Sequence, residues 1–183
     1  MKWSKYFLKT ERNAPKDAVL DSYKLLYRGG FIRQISTGRY SFMPIGMRVK
    51  NKIINIIADE LSKIGSQRVE VPIMQPIELL EVTNRNGVWG DQMIVTEDHF
   101  GRKFALSATA ESLMTELVKG FKPSYKDLPI NIYQFLPKFR DELRPRGGPI
   151  RAREFLMMDA YNFEASEADF MKTYEDYKKA YTN

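Results

Sequence analysis

The sequence predicts an α+β domain built around an antiparallel sheet flanked by helices. Three features set this class. Apolar residues recur at helical spacing in well-separated stretches, most clearly between Gly46 and Ile64. Short β-like runs come mostly as neighbours joined by Gly-containing turns, the pattern of antiparallel pairing. Helices stand between these hairpins rather than alternating one-for-one with single strands. The chain has 183 residues, 43% hydrophobic and 28% charged, which suits one ordinary domain or a piece of a larger one.

Taken in order, Asp17 to Arg28 ("DAVLDSYKLLYR") reads as a short amphipathic helix, closed by Gly29-Gly30 where a left-handed cap fits. "FIRQISTGRYSFMP" reads as two strands around Ser36-Thr37-Gly38. In the long helix, Val49, Ile53, Ile57, Leu61 and Ile64 form an apolar stripe that Ile54 and Ile56 broaden, and Gly65 ends it. "SQRVEVPIMQP" reads as a strand; Pro72 inside it lacks a ladder N–H, which places that strand at an edge or an interface. Leu79 to Gly90 is loop-rich and ends in Val88-Trp89-Gly90. A hairpin follows over Gln92 to Thr96 and Lys103 to Ser107, then a helix over Glu111 to Phe121. Asn131 to Leu143 and Glu154 to Phe163 are strands flanking an arginine-rich loop. Ser166 opens a last helix that stops at "KKAYTN" without a capping signal, so the chain reads as cut rather than finished.

Composition excludes several chemistries. With no Cys there is no disulfide, thiolate zinc site or thiol nucleophile, and a single His (His99) gives no basis for a His metal site or a catalytic triad. No apolar run approaches the roughly 20 residues of a membrane span. The start, "MKWSKYFLKTERNAPKD", is too short in apolar residues for a signal-peptide core, and Glu11 and Asp17 oppose a transit peptide. The expected location is the cytoplasm. A formal net charge of +6 favours polyanionic partners, although mild basicity is also common without one.

Two constellations carry chemistry. In "KFRDELRPRGGPIRAREFLMMDAY", Arg140, Arg144, Arg146, Arg151 and Arg153 surround a Gly-Gly-Pro turn. Alternation puts Arg140 and Glu142 on one strand face, and Arg151, Arg153, Phe155, Met157 and Tyr161 on one face of the return strand. A turn about Gly147-Gly148 sets 140 beside 155 and 142 beside 153. Such a face suits a nucleoside triphosphate. Arginine forks match phosphate oxygens, a ring stacks on adenine, and a carboxylate accepts from an exocyclic amine. The plainer alternative is an exposed edge hairpin with weak Arg–Glu pairs. In "FALSATAESLMTEL", Thr109 reads as a helix N-cap with Glu111 in the first turn. The same hydroxyl and carboxylate could bind a substrate ammonium, and the two readings are compatible.

With both sites in place, the chain closely resembles the prolyl-tRNA synthetases of bacterial type, which are class II aminoacyl-tRNA synthetases. The resemblance runs from "LLYRGGFIRQISTGRYSFMPIGMRV" through a long helix ending at Gly65 and then Pro72, which is similar to class II motif 1, to the "TAE" triplet and then "KFRDELRPRGGPIRAREFLMMDAYNF", which is similar to motif 2 of this subfamily. The resemblance implies that Arg140 holds the α-phosphate of ATP and the carboxylate of proline. It implies that Glu142 contacts adenine, Phe155 stacks beneath it and Arg151 reaches the terminal phosphates. Thr109 and Glu111 would bind the proline ammonium, Met157 and Tyr161 would wall its pocket, and the motif 1 helix and Pro72 would lie in a homodimer interface. Magnesium would ride on the phosphates, with no dedicated metal ligands, and tRNA(Pro) would accept the activated proline.

The chain departs from the family pattern at Ala108 and Ser112, where Pro and a second Glu are usual, which bears on the proline pocket. Nothing in it resembles motif 3, so residues 1–183 are expected to be the amino-terminal half of the catalytic domain and to be inactive alone. A non-catalytic synthetase-like binding or dimerisation module is the rival reading, and a generic basic RNA-binding domain with steep salt dependence a third.

Overall fold

Two ten-residue strands dominate the architecture of the computed structural model, which describes residues 2–82 and 92–183. Numbered in chain order, the strands and α-helices are α1 (Asp21–Arg28), β1 (Ile32–Ser36), β2 (Arg39–Phe42), α2 (Pro44–Lys63), β3 (Gln67–Arg68), β4 (Met74–Pro76) and α3 (Ile77–Glu81). They continue with β5 (Val95–Glu97), β6 (Lys103–Leu106), α4 (Glu111–Gly120), β7 (Ile130–Phe139), β8 (Glu154–Phe163) and α5 (Glu167–Thr182). β7 and β8 pair antiparallel without a break, from Ile130 opposite Phe163 to Phe139 opposite Glu154. β3 joins the other edge of β7 in parallel, the exception to the antiparallel expectation. A second antiparallel sheet has the order β4-β6-β5, and β1-β2 is a separate hairpin.

Side-chain alternation gives the central sheet two different faces. Tyr133 and Phe135 of β7, with Leu156, Met158 and Ala160 of β8, pack against Leu61 of α2 and Tyr177 and Ala180 of α5. On the opposite face, Ile132 and Leu136 meet Met114 and Val118 of α4. Leu61 and Met114 are completely buried, each contributing about 1.5–3 kcal/mol by removal from water. Between those apolar rows the second face also carries Gln134, Lys138, Phe155, Met157, Asp159 and Tyr161, by the strand register.

Two glycines explain how the amino-terminal elements dock. Gly30, at φ +76°, completes a Schellman closure of α1: its N–H reaches the Tyr27 carbonyl at 3.1 Å, and the Phe31 N–H reaches Leu26 at 2.9 Å. Gly46, in the first turn of α2, lies so close to the β1 approach that a Cβ would stand 2.2 Å from the Phe31 carbonyl oxygen. Pro44 starts α2, where a missing N–H is harmless.

Several expectations need correction. α1 begins at Asp21, not Asp17. The apolar stripe of α2 splits: Ile54, Ile57 and Leu61 face the sheet, whereas Val49, Ile53 and Ile56 are exposed. Pro72 lies in no strand. It sits in the break between β3 and β4, where the chain leaves one sheet for the other. β7 ends at Phe139, so Arg140 and Glu142 belong to the following loop, and the register sets Arg140 opposite Arg153 rather than Phe155. Leu79 to Glu81 are helical, and the Val88-Trp89-Gly90 segment lies outside the described residues.

Candidate active site

The loop from Arg140 to Arg153 is held at several points. Gly147 and Gly148 both have positive φ and start a 3-10 turn at Gly148–Ile150. A Cβ on Gly148 would meet the Tyr23 ring at 2.6 Å, so the loop rests directly on α1. The Arg153 N–H donates to the Gly38 carbonyl at 2.7 Å, and its Nε donates to the Glu142 carbonyl at 2.9 Å. Arg153 therefore ties the loop together rather than facing open space.

Arg140 sits one residue beyond β7, its N–H bonded to the Arg153 carbonyl at 2.9 Å. Its guanidinium carbon lies 5.5 Å from the centroid of the Phe155 ring, a cation–π distance. Its Nε and Nη2 donate to the Ala108 carbonyl at 3.3 and 3.1 Å. Burial pulls its pKa downward, but a guanidinium remains charged in water-accessible conditions. A rigid cation thus lies between an aromatic ring and the turn that leads into α4.

Glu142 pairs with Arg151, where the sequence set it beside Arg153. Arg151 Nε donates to Glu142 Oε2 at 2.8 Å, and the Arg144 N–H donates to Oε1 at 3.1 Å. The hydrogen bond from Arg151, the Arg144 N–H and the nearby positive charge hold the Glu142 carboxyl below its usual range. A carboxylate has about four lone-pair sites, so these bonds leave acceptor capacity for a further donor.

Thr109 is not the N-cap of α4. Ala110 occupies that position and supplies no side-chain cap, while Thr109 acts through its carbonyl. That oxygen accepts from Gln75 Nε2 of β4 at 3.2 Å and from Ser107 Oγ at 3.0 Å. Glu111 is the first residue of α4 and exposed, where the helix dipole favours a carboxylate. Met157 stands opposite Leu136, and Tyr161 opposite Ile132, on the face that meets α4.

Four polar residues escaped the sequence reading. Lys138, fully buried, lies 3.1 Å from Asp159 Oδ1 and donates to Oδ2 at 3.2 Å. Gln134 Nε2 and the Tyr161 hydroxyl also donate to Asp159 Oδ2, at 3.0 and 2.7 Å. Burial lowers the Lys138 pKa, with Asp159 opposing the shift. Gln75, the fourth, is 1% exposed, and its Oε1 has no hydrogen-bond partner. A signal existed for the first three: Gln134 and Lys138 share one strand face within the apolar "NIYQFLPKF", and one carboxylate interrupts the apolar "FLMMDAY".

Among the described residues no group of three or more His, Asp or Glu side chains is placed to hold a metal, and no helix is long and apolar enough to cross a membrane. The face is built from arginine forks, a ring and a pinned turn.

Known proteins share sequence and fold with this chain. The family model described as tRNA synthetase class II core domain (G, H, P, S and T) matches residues 94–183, the part that contains the turn, α4, β7 and β8. The fold is that of a class II aminoacyl-tRNA synthetase core domain. Over its whole length the chain is a homologue of bacterial prolyl-tRNA synthetases. It is 47% identical over 178 residues to the proline–tRNA ligase of Sulfurihydrogenibium sp. (strain YO3AOP1), covering 97% of this chain and 32% of that protein. It is 43% identical over 182 residues to that of Thermotoga maritima, covering 100% of this chain and 32% of the relative. The solved structure of Giardia lamblia prolyl-tRNA synthetase in complex with prolyl-adenylate superposes with a TM-score of 0.76 at 25% identity, over 82% of this chain and 32% of that one. The chain spans about a third of the length of the curated relatives it matches.

Proposed function

We propose that this chain supplies the ATP- and proline-binding face of a prolyl-tRNA synthetase, which activates L-proline with ATP and transfers it to tRNA(Pro). One observation carries the reading. Arg140 lies over the Phe155 ring and donates to the carbonyl of Ala108, the residue before Thr109, so a nucleotide site and an ammonium site share one cation. Arg140 binds the α-phosphate and the proline carboxylate, Phe155 stacks on adenine, Glu142 accepts from its exocyclic amine, and Arg151 reaches the outer phosphates. Thr109 and Glu111 take the secondary ammonium, with Met157 and Tyr161 walling the pocket.

In the reaction a proline carboxylate oxygen attacks the α-phosphorus. The bond to the bridging oxygen breaks, pyrophosphate leaves with the electron pair, and a mixed anhydride, prolyl-adenylate, remains. The residues named position both reactants and neutralise charge, and no side-chain nucleophile is needed. The arginine-rich lining suits phosphate rather than metal ligation, so Mg²⁺ would be carried by the phosphate oxygens. Residues 1–183 would form the amino-terminal half of the catalytic domain, working in the cytoplasm. They would join a homodimer through the exposed side of α2 and the segment around Pro72.

Titration calorimetry of the full-length protein with a stable prolyl-adenylate mimic tests the assignment. Glu111→Ala is expected to weaken binding at least about tenfold, a change of about 1.4 kcal/mol. Unchanged affinity removes Glu111 from the ammonium site.

A further inference from the structure

Tyr161 lies between Asp159 and the apolar cluster beneath the turn that opens α4. Its hydroxyl donates to Asp159 Oδ2 at 2.7 Å. Its ring packs against the apolar cluster that contains Ala110 and Met114. The bond to Asp159 fixes the phenol, and with it the ring that packs on this cluster. Asp159 is itself fixed by Gln134 at 3.0 Å and by the buried Lys138. The Ala110 N-cap of α4 makes no side-chain cap bond.

We propose that Asp159 is a positioning residue for the ammonium pocket: through Tyr161 it sets the Thr109–Glu111 turn at the height at which proline is received. Lys138 neutralises Asp159, so the carboxylate orients the phenol without adding net charge beside Arg140. The inference rests on the reading that Thr109 and Glu111 bind the proline ammonium. It assigns proline affinity to a charge pair that touches neither substrate.

The test is proline-dependent ATP–pyrophosphate exchange by the full-length protein, with KM measured separately for proline and ATP. Tyr161→Phe keeps the whole Lys138–Asp159 pair and removes only the hydroxyl. It is expected to raise the proline KM about five- to tenfold, the scale of one lost hydrogen bond, with the ATP KM within twofold. Lys138→Met/Asp159→Leu removes both charges together, an exchange that folded proteins commonly tolerate, and should raise the proline KM similarly. Lys138→Met/Asp159→Asn restores an acceptor for the phenol and should bring the proline KM back to within about twofold of wild type. The inference is overturned if Tyr161→Phe leaves the proline KM unchanged, if proline and ATP KM rise together, or if the asparagine variant is no better than the leucine variant. Should the leucine variant not fold, Lys138→Met/Asp159→Val takes its place in this comparison. Wild-type protein without proline-dependent exchange would instead sink the proposed function, a result separate from any of these.

Discussion

Arg140 Nη2 lies 3.1 Å from the carbonyl oxygen of Ala108, so the loop after β7 is bonded directly to the turn that opens α4. The two sequence constellations are thereby one structural unit. A change at Arg140 should disturb both.

Arg140→Lys retains a positive charge but loses the fork that spans Nε and Nη2. We expect proline-dependent exchange by the full-length protein to fall about 10²–10³-fold, the usual loss when one preorganised donor is removed from developing charge. Steady-state exchange checks this, with circular dichroism to confirm an unchanged fold. Activity within threefold of wild type would contradict the shared-cation reading.

Much of the fold is legible in the sequence because its elements obey local periodicity. The extent of α2, the Gly30 closure, the β5–β6 hairpin and the Ser166 cap, whose Oγ accepts from the Asp169 N–H at 3.2 Å, need only near neighbours. What was not legible depends on distant pairing. The register of β7 and β8 is displaced by two residues from a turn centred on Gly147-Gly148, because a 3-10 turn follows Gly147 and β7 stops at Phe139. Lys138 and Asp159 look like isolated charges in apolar runs, and their partnership spans 21 residues of chain. Thr109 resembled a cap by residue type. The boundary falls one residue later, and its carbonyl carries the structural bonds.

The Glu142–Arg151 pair gives a pH prediction. Arg151 and the Arg144 N–H depress the folded-state pKa of Glu142, so their contribution to stability is complete above the ordinary glutamate value of about 4.3. It fades as pH falls through the lower, folded value. Arg151→Ala should raise the Glu142 pKa toward the ordinary range, which carboxyl-carbon NMR titration would follow. An unmoved titration would mean that the 2.8 Å contact is absent in solution.

Asp159→Ala leaves the fully buried Lys138 without its carboxylate. Breaking a buried ion pair on one side typically costs about 3–5 kcal/mol. We expect the urea midpoint to fall accordingly. The paired change Lys138→Met/Asp159→Leu should recover most of that loss, since no charge remains in the interior. A double variant as unstable as Asp159→Ala would show that the bonds to Gln134 and Tyr161, rather than the charge, dominate.

Gly46 tests the docking of α2 on the amino-terminal hairpin. A Cβ placed there would lie 2.2 Å from the Phe31 carbonyl oxygen, which is backbone and cannot rotate aside. Alanine usually favours a helix over glycine by about 1 kcal/mol, but here the overlap outweighs it, as overpacking costs about 1–3 kcal/mol. Gly46→Ala should therefore lower the thermal midpoint, whereas Gly120→Ala, where nothing lies within 4 Å, should leave it unchanged or raise it.

Val49, Ile53 and Ile56 leave an apolar strip on α2 with 44, 53 and 62% of each residue exposed, while Leu61 on the same helix is fully buried. Exposed apolar strips of that kind are common at association sites. If α2 forms the homodimer contact proposed above, Ile53→Asp/Ile56→Asp places two like charges where two such strips would meet. Carboxylates forced together without partners disfavour the closed pair strongly. Sedimentation equilibrium of the full-length protein should show a dimer for wild type and a monomer for the double variant, with unchanged circular dichroism. A variant that still sediments as a dimer would move the interface away from this side of α2.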